Sequence, residues 1–219
     1  IEFDGATGEE LHRQTVDTGE IKWLAVDDGR IFVLGGPVKP GIGRSKEAIL
    51  QLRIAGEELM AFDRTTWDVL WHNHRTTGQD AYDPRSPAVA GDGLFICQEG
   101  SVAERIDVAT GEVVWSVDAG FKRPTTVEAT KGGFYWDYDS RKPVSGFALP
   151  GIYLITAVEM PTPVILAQED GRRLWEPPGR GKFVTVAYNG QIWVDRKGRH
   201  NDGGADPLTG EALMRSGDI

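Results

Sequence analysis

One short phrase recurs along this chain at intervals that indicate a repeated structural unit. Its clearest copy runs from Asp107 through Thr110 and Gly111 to Trp115 and has the form Asp-x-x-Thr-Gly-Glu-x-x-Trp. Less complete copies lie at 4–11, 63–71, 168–175 and 206–213. Because internal repetition is the signature of propellers and solenoids, this repeat constrains the fold more than any local pattern does.

The chemistry of the phrase is that of a tight hairpin. Asp accepts bonds from the backbone N–H groups that follow it, and Gly supplies the positive φ that a narrow turn demands. The residues around Gly111 are β-formers, such as Ile106 before the turn and Val113 after it. Since Trp115 stands at a fixed distance from the turn, its indole can lie across a neighbouring backbone and bury a large apolar area.

The copies differ in quality. The residues that carry the motif are Asp63, Trp71, Asp107, Thr110, Gly111, Trp115, Gly171, Trp175, Asp206 and Gly210. Trp67 stands where Gly is expected, the copy that contains Gly171 lacks the Asp, and Met214 replaces the last Trp.

A second phrase, a Gly-containing turn followed by an apolar strand, alternates with the first. Its copies lie at 26–33, 90–97, 130–136 and 187–194. Asp-Gly and Asn-Gly pairs between apolar runs are the strongest short-range hairpin signal. Two hairpin signals that alternate describe a module of about four short strands, which is the size of one propeller blade. The sequence therefore predicts an all-β fold.

Composition excludes several other classes. The net charge is −9, from 33 acidic and 24 basic residues, which argues against nucleic acid as a partner. No apolar run is long enough for a membrane-spanning helix, so the chain is not expected to span a membrane. Cys97 is the single cysteine, which excludes an internal disulfide. The chain opens at Ile1 without Met, so we expect a mature product or a fragment.

The phrase from Asp107 to Trp115, with the Gly91-Asp92-Gly93 strand start before it, resembles the repeat of the pyrroloquinoline-quinone (PQQ)-type β-propellers. The resemblance implies four-stranded antiparallel blades around a channel, with about four blades and a half in this chain. The expected modules of this single segment are approximately 1–24, 25–75, 76–118, 119–178 and 179–219. Members of that family commonly close with seven or eight blades, so we expect part of a larger ring.

The resemblance leaves several functions open, because its members include quinone-dependent dehydrogenases, an outer-membrane protein-assembly scaffold and sensor domains. A dehydrogenase of this type needs Ca²⁺ ligands, a catalytic Asp and, in alcohol-oxidising members, two adjacent cysteines. Cys97 is alone, and we predict no catalytic, cofactor-binding or metal-binding residue. The expected function is a non-catalytic binding or scaffold segment of a larger exported bacterial-type protein, periplasmic or extracellular. The alternatives are part of a dehydrogenase that holds PQQ with Ca²⁺, or an accessory domain fused to a separate catalytic domain.

Two clusters are candidates for binding a protein or a small carbohydrate-like ligand. The first interleaves aromatic rings with a carboxylate, and its residues are Tyr135, Trp136, Asp137 and Tyr138. Such a surface can stack on a ligand and accept its hydrogen bonds, although blade packing explains the same rings. His72 and His74 alternate on one strand and share a face, so they are either half of a metal site or an exposed strand end.

Overall fold

Every regular element that the structure describes is a β-strand, which confirms the all-β prediction. The structure is a computed structural model that describes residues 1–36, 56–75, 81–98, 102–120, 144–157, 163–175, 183–188, 191–196 and 204–211. Within these ranges sixteen strands form five antiparallel sheets, one after another along the chain.

A two-stranded hairpin precedes four larger sheets, which we call blades 1 to 4. An N-terminal hairpin pairs β1 (Glu2–Phe3) with β2 (Glu10–His12). Blade 1 contains β3 (Glu20–Val26), β4 (Arg30–Gly36), β5 (Glu58–Asp63) and β6 (Val69–His74). Blade 2 contains β7 (Ala88–Ala90), β8 (Gly93–Cys97), β9 (Val102–Asp107) and β10 (Val113–Asp118). Blade 3 contains β11 (Val144–Leu149), β12 (Ile152–Ala157) and β13 (Val164–Ala167). Blade 4 contains β14 (Phe183–Tyr188), β15 (Gln191–Arg196) and β16 (Gly204–Ala205).

Strands follow one another across each blade in chain order. Blades 1 and 2 have the full four strands that the repeat predicts, and in blade 3 the fourth is reduced to a bridge between Leu166 and Arg173. Strand β3 crosses the predicted module boundary at residues 24 and 25.

Alternation along the strands explains how the blades pack. In β4 the residues Ile31 and Val33 face one side of the sheet, and Phe32 and Leu34 face the other. All four are buried because both faces of the sheet are covered. This strand therefore needs apolar residues at consecutive positions, without polar residues between them.

Apolar layers between consecutive blades form the core. Between blades 1 and 2, Phe32, Leu59 and Trp71 pack with Leu94 and Ile106. Between blades 2 and 3, a second layer contains Phe95, Ala103, Trp115, Tyr153, Ile155 and Leu166. Blades 1, 2 and 3 thus bury apolar faces against one another.

The antiparallel order gives every blade two different ends. Short turns join the first strand to the second and the third to the fourth, and all of these turns lie at what we call the turn end. The chain passes from second to third strand, and from blade to blade, at the opposite end. Residues 37–55 and 121–143 lie outside the described residues.

Candidate functional site

The recurrent turn is built around a carboxylate. In blade 2, Oδ1 of Asp107 accepts bonds from the N–H groups of Ala109 and Thr110, both at 2.9 Å. The Thr110 hydroxyl oxygen then accepts the N–H of Glu112 at 3.2 Å. The bond from Thr110 is the largest of the causes that hold the pKa of Asp107 below its ordinary value. The Asp and Thr of the motif therefore satisfy the backbone of the turn.

The tryptophan of one blade lies on the turn of the next. The Nε1–H of Trp71 donates to the carbonyl oxygen of Val108 at 2.9 Å, and its ring covers Gly111. Gly111 has a φ of 75°, and a Cβ there would lie 2.7 Å from the ring. Both the backbone and the close approach of the indole require glycine at this position.

The same contact joins the later blades. Trp115 of blade 2 donates to the carbonyl oxygen of Gln168 at 2.9 Å and covers Gly171. Trp175 of blade 3 donates to the carbonyl oxygen of Pro207 at 2.8 Å and covers Gly210. The structure thus brings the residues of the repeated motif together between sheets rather than within one sheet.

Blade 1 shows how the contact tolerates the unexpected Trp67. This residue occupies the glycine position of its turn and keeps a positive φ of 63°. His12 of the N-terminal hairpin occupies the tryptophan position, eight residues after Asp4, and stacks on Trp67 with ring centroids 4.2 Å apart. The bulky tryptophan thus stands in the turn, where the later blades have glycine, and the smaller histidine stands where blades 1 to 3 have tryptophan. The two rings still stack.

The two candidate histidines share a carboxylate. Glu58 on β5 contacts Nε2 of His72 and, at 2.6 Å, Nδ1 of His74, because the strand register places residues 72–74 opposite it. Partial burial raises the pKa of Glu58, but the bonds from both imidazoles outweigh that effect and lower it overall. Among the described residues, no group of three or more His, Cys, Asp or Glu side chains is arranged to hold a metal ion. The aromatic candidates Tyr135, Trp136, Asp137 and Tyr138 lie outside the described residues.

A buried ion pair at the interface of blades 1 and 2 was not predicted from the sequence. Glu104 on β9 is 3% exposed and pairs with Nη2 of Arg75 at 3.0 Å. Gln98 donates to the same carboxylate at 2.7 Å. Burial raises the pKa of Glu104, and Arg75 opposes that effect. No local feature of the sequence marks Glu104 as buried, because its partners Arg75 and Gln98 lie outside β9 on other segments of the chain.

Apolar side chains are exposed on the edge strands of the blades. Strands β6 and β10 are each last in their sheet, and among the described residues no strand pairs with the outer side of their backbone. Val69 and Leu70 of β6 and Val113 and Val114 of β10 are 42–55% exposed. They occupy the same two positions before the tryptophan, where both strands have a β-bulge. We call these four residues the edge surface.

A groove of about 410 Å³ lies at the turn end between blades 2 and 3. Its apolar lining includes Phe95, Ala167, Leu174 and Leu208, and its charged lining includes Asp92, Arg105, Glu169 and Arg172. Arg105 pairs with Asp92 at 2.8 Å, so blade 2 contributes a neutral charge pair to the groove.

Comparison with known proteins identifies the family of the chain. Residues 1–128 match the model of the family described as outer membrane protein assembly factor BamB. The chain belongs to this family. No curated protein sequence matches the chain significantly.

Solved structures with the same architecture support the propeller fold of this BamB-family chain. BamB from Moraxella catarrhalis superposes with a TM-score of 0.55 at 12% identity over 89% of this chain and 47% of its own. Hsv2 from Kluyvelomyces marxianus gives 0.57 at 12% identity over 97% of this chain and 54% of its own. The computationally designed Ika4 protein gives 0.54 at 11% identity over 87% of this chain and 94% of its own.

The family match confirms a PQQ-like repeat, and these structures confirm a β-propeller of antiparallel blades. The chain spans about half the length of the BamB and Hsv2 structures. In the described part of this BamB-family chain, no helix has the length and apolar character needed to cross a membrane.

Proposed function

We propose that this chain is part of a non-catalytic propeller scaffold that binds proteins during outer-membrane protein assembly in the bacterial envelope. The description of its family supports the process, and the propeller supports a scaffold of rigid, repeated surfaces. On this proposal the whole protein is exported to the periplasm and holds neither quinone nor Ca²⁺. Its partners are proteins rather than carbohydrate.

The edge surface is the observation that carries the proposal. An edge strand with exposed apolar side chains is a template for another strand, and proteins ordinarily protect such edges with charge, proline or a covering segment. Here Val69, Leu70, Val113 and Val114 present apolar groups at equivalent places on two consecutive blades. An extended segment of a partner can pair with the free backbone of one edge while its side chains cover those groups.

The repeated motif supports a structural rather than a catalytic use of the conspicuous polar residues. We interpret it as a tryptophan-docking motif, in which Asp107 orders a turn and Trp71 fixes that turn to the preceding blade. Its carboxylates are engaged by backbone N–H groups, so they are poor general bases.

The proposal is tested with the whole protein and a chemically unfolded outer-membrane β-barrel protein as the probe. We expect saturable binding in fluorescence anisotropy, and we expect the double variant Val69→Lys/Val113→Lys to weaken it by at least about tenfold, because charge replaces apolar contact at the edge. The double variant Thr65→Lys/Ala109→Lys is the matched control, since it adds the same two charges at exposed positions of the turns in blades 1 and 2.

Two results would contradict the proposed scaffold function. One is the absence of binding to the unfolded barrel protein, or equal binding by the edge variant. The other is saturable, dye-linked oxidation of alcohols or sugars by the whole protein after addition of PQQ and Ca²⁺, which would favour the dehydrogenase alternative.

A further inference from the structure

Four of the five copies of the recurrent turn carry an internal carboxylate with the same two bonds. Its Oδ1 accepts the N–H groups of the second and third residues after it, at 2.7–2.9 Å. The four residues are Asp4, Asp63, Asp107 and Asp206. This regularity defines what the turn requires: one carboxylate for two adjacent N–H groups.

The turn of blade 3 has the same backbone without that carboxylate. Gly171 has a φ of 73°, close to the 75° of Gly111, and the N–H of Gly171 bonds to the carbonyl oxygen of Ala167 as in the sister turns. Asp170 takes the place of the threonine, and its Oδ1 accepts the N–H of Arg172 at 3.1 Å. The residue in the position of Asp107 is Ala167.

Two backbone donors are consequently without an acceptor. In blade 2 the corresponding donors are the N–H groups that bond to Asp107; in blade 3 they belong to Glu169 and Asp170, and they bond to no acceptor among the described residues. Adjacent N–H groups that point into one space form an anion-binding concavity.

That space opens on the groove at the turn end. Ala167 lines the groove, so the groove includes the place that the aspartate carboxylate fills in the other four turns. Arg105 also lines the groove with its side chain 14% exposed, and its buried Nε has no hydrogen-bond partner among the described residues. Leu208, which is 52% exposed, supplies apolar surface beside it.

The geometry points to a carboxylate-binding site at this turn: an external carboxylate takes the place of the missing aspartate between the N–H groups of Glu169 and Asp170. The organic part of the ligand packs on Leu208. Both a peptide's acidic side chain and its C-terminus carry the required group. This site goes beyond the scaffold function proposed above, because it lies in the groove between blades 2 and 3 and uses none of the residues of the edge surface.

The charges around the site predict how to strengthen it. Asp92 neutralises Arg105, and Asp170 is bonded to Arg172 through Nε at 3.3 Å. Glu169 is exposed at the rim and adds a negative charge that repels an anion. We therefore expect Glu169→Gln to tighten carboxylate binding about two- to threefold at low salt.

The test follows the backbone amides of residues 169 and 170 by NMR in the whole protein. We expect saturable downfield shifts with acetate, with N-acetylaspartate amide and with N-acetylalanine, and none with N-acetylalanine amide, which lacks a carboxylate. Of the two peptide-like ligands, the one that binds more tightly distinguishes an acidic side chain from a C-terminus as the source.

Ala167→Asp is the decisive variant, because it supplies the missing carboxylate from within the chain. We expect it to raise the thermal midpoint and to weaken acetate binding by at least about tenfold, since the two donors are then occupied. Unshifted amides in the unmodified protein, equal shifts in Ala167→Asp, or equal shifts with chloride would overturn the site. These outcomes are independent of binding to an unfolded barrel protein, so the two proposals can fail separately.

Discussion

At the scale of single residues, the same backbone conformation serves different purposes in different copies of the turn. Gly8 and Gly111 have φ values of 73° and 75°. No atom stands within 4 Å of the place where a Cβ on Gly8 would lie, whereas the Trp71 ring occupies that place at Gly111. The comparison separates the conformational requirement for glycine from the packing requirement.

We therefore predict different costs for the same substitution. Gly8→Ala should cost about 1 kcal/mol, because only the left-handed conformation opposes a Cβ. Gly111→Ala should cost a further 1–3 kcal/mol or so, because the methyl group also overpacks against the indole. Urea denaturation of both variants measures the difference, and equal costs would contradict the contact with Trp71.

At the scale of elements, the strands were largely predictable and the contacts between sheets were not. Asp-Gly pairs correctly marked the turns before β4 and β8, because turn chemistry is local. Glu58 between two histidines and Glu104 beside Arg75 depend on register and on packing between blades, for which the sequence carries no local sign. The same holds for Ala167. The sequence shows that this copy of the turn lacks the aspartate, but the groove beside Ala167 also contains residues of blades 2 and 4, which the local sequence does not reveal.

The pair His12 and Trp67 gives a prediction at this scale. His12→Trp should clash with the large side chain of Trp67, and Trp67→Gly should leave His12 without its stacked partner, so each single variant should lose about 1–3 kcal/mol. The double variant restores the arrangement of Trp71 on Gly111. We expect it to recover most of the loss, which appears as a coupling energy in a double-mutant cycle by urea denaturation. Additive losses would show that the two positions do not form one contact.

At the scale of the whole molecule, the four turn carboxylates of the N-terminal hairpin and blades 1, 2 and 4 change the pH dependence of folding stability in the same direction. Bonds from backbone N–H groups hold the pKa values of Asp4, Asp63, Asp107 and Asp206 below their ordinary value of 3.8. For a carboxyl group with a lowered pKa in the folded state, its stabilisation is complete above the unfolded value and is lost as the pH falls through the folded value.

We predict that the protein loses stability in acid and that each turn carboxylate contributes a separate part of this loss. The thermal midpoint should fall below about pH 4 as these groups take up protons. Asp107→Asn should lower the midpoint at neutral pH and reduce the slope below that pH, because one titrating group is absent. Calorimetry of both proteins from about pH 6 to about pH 2 measures the two slopes. Parallel curves would mean that Asp107 does not contribute to the pH dependence.

The contact between a tryptophan and the following turn also has an evolutionary consequence. Trp71, Trp115 and Trp175 all reach towards the C-terminal neighbour, so blades 1, 2 and 3 each offer a ring on one side and a receptor for a ring on the other. A gene that duplicates one blade therefore creates both halves of the new junction at once. Ring size can change by whole blades within such a lineage, and a paired exchange such as that of His12 and Trp67 can then make one junction distinct from the rest.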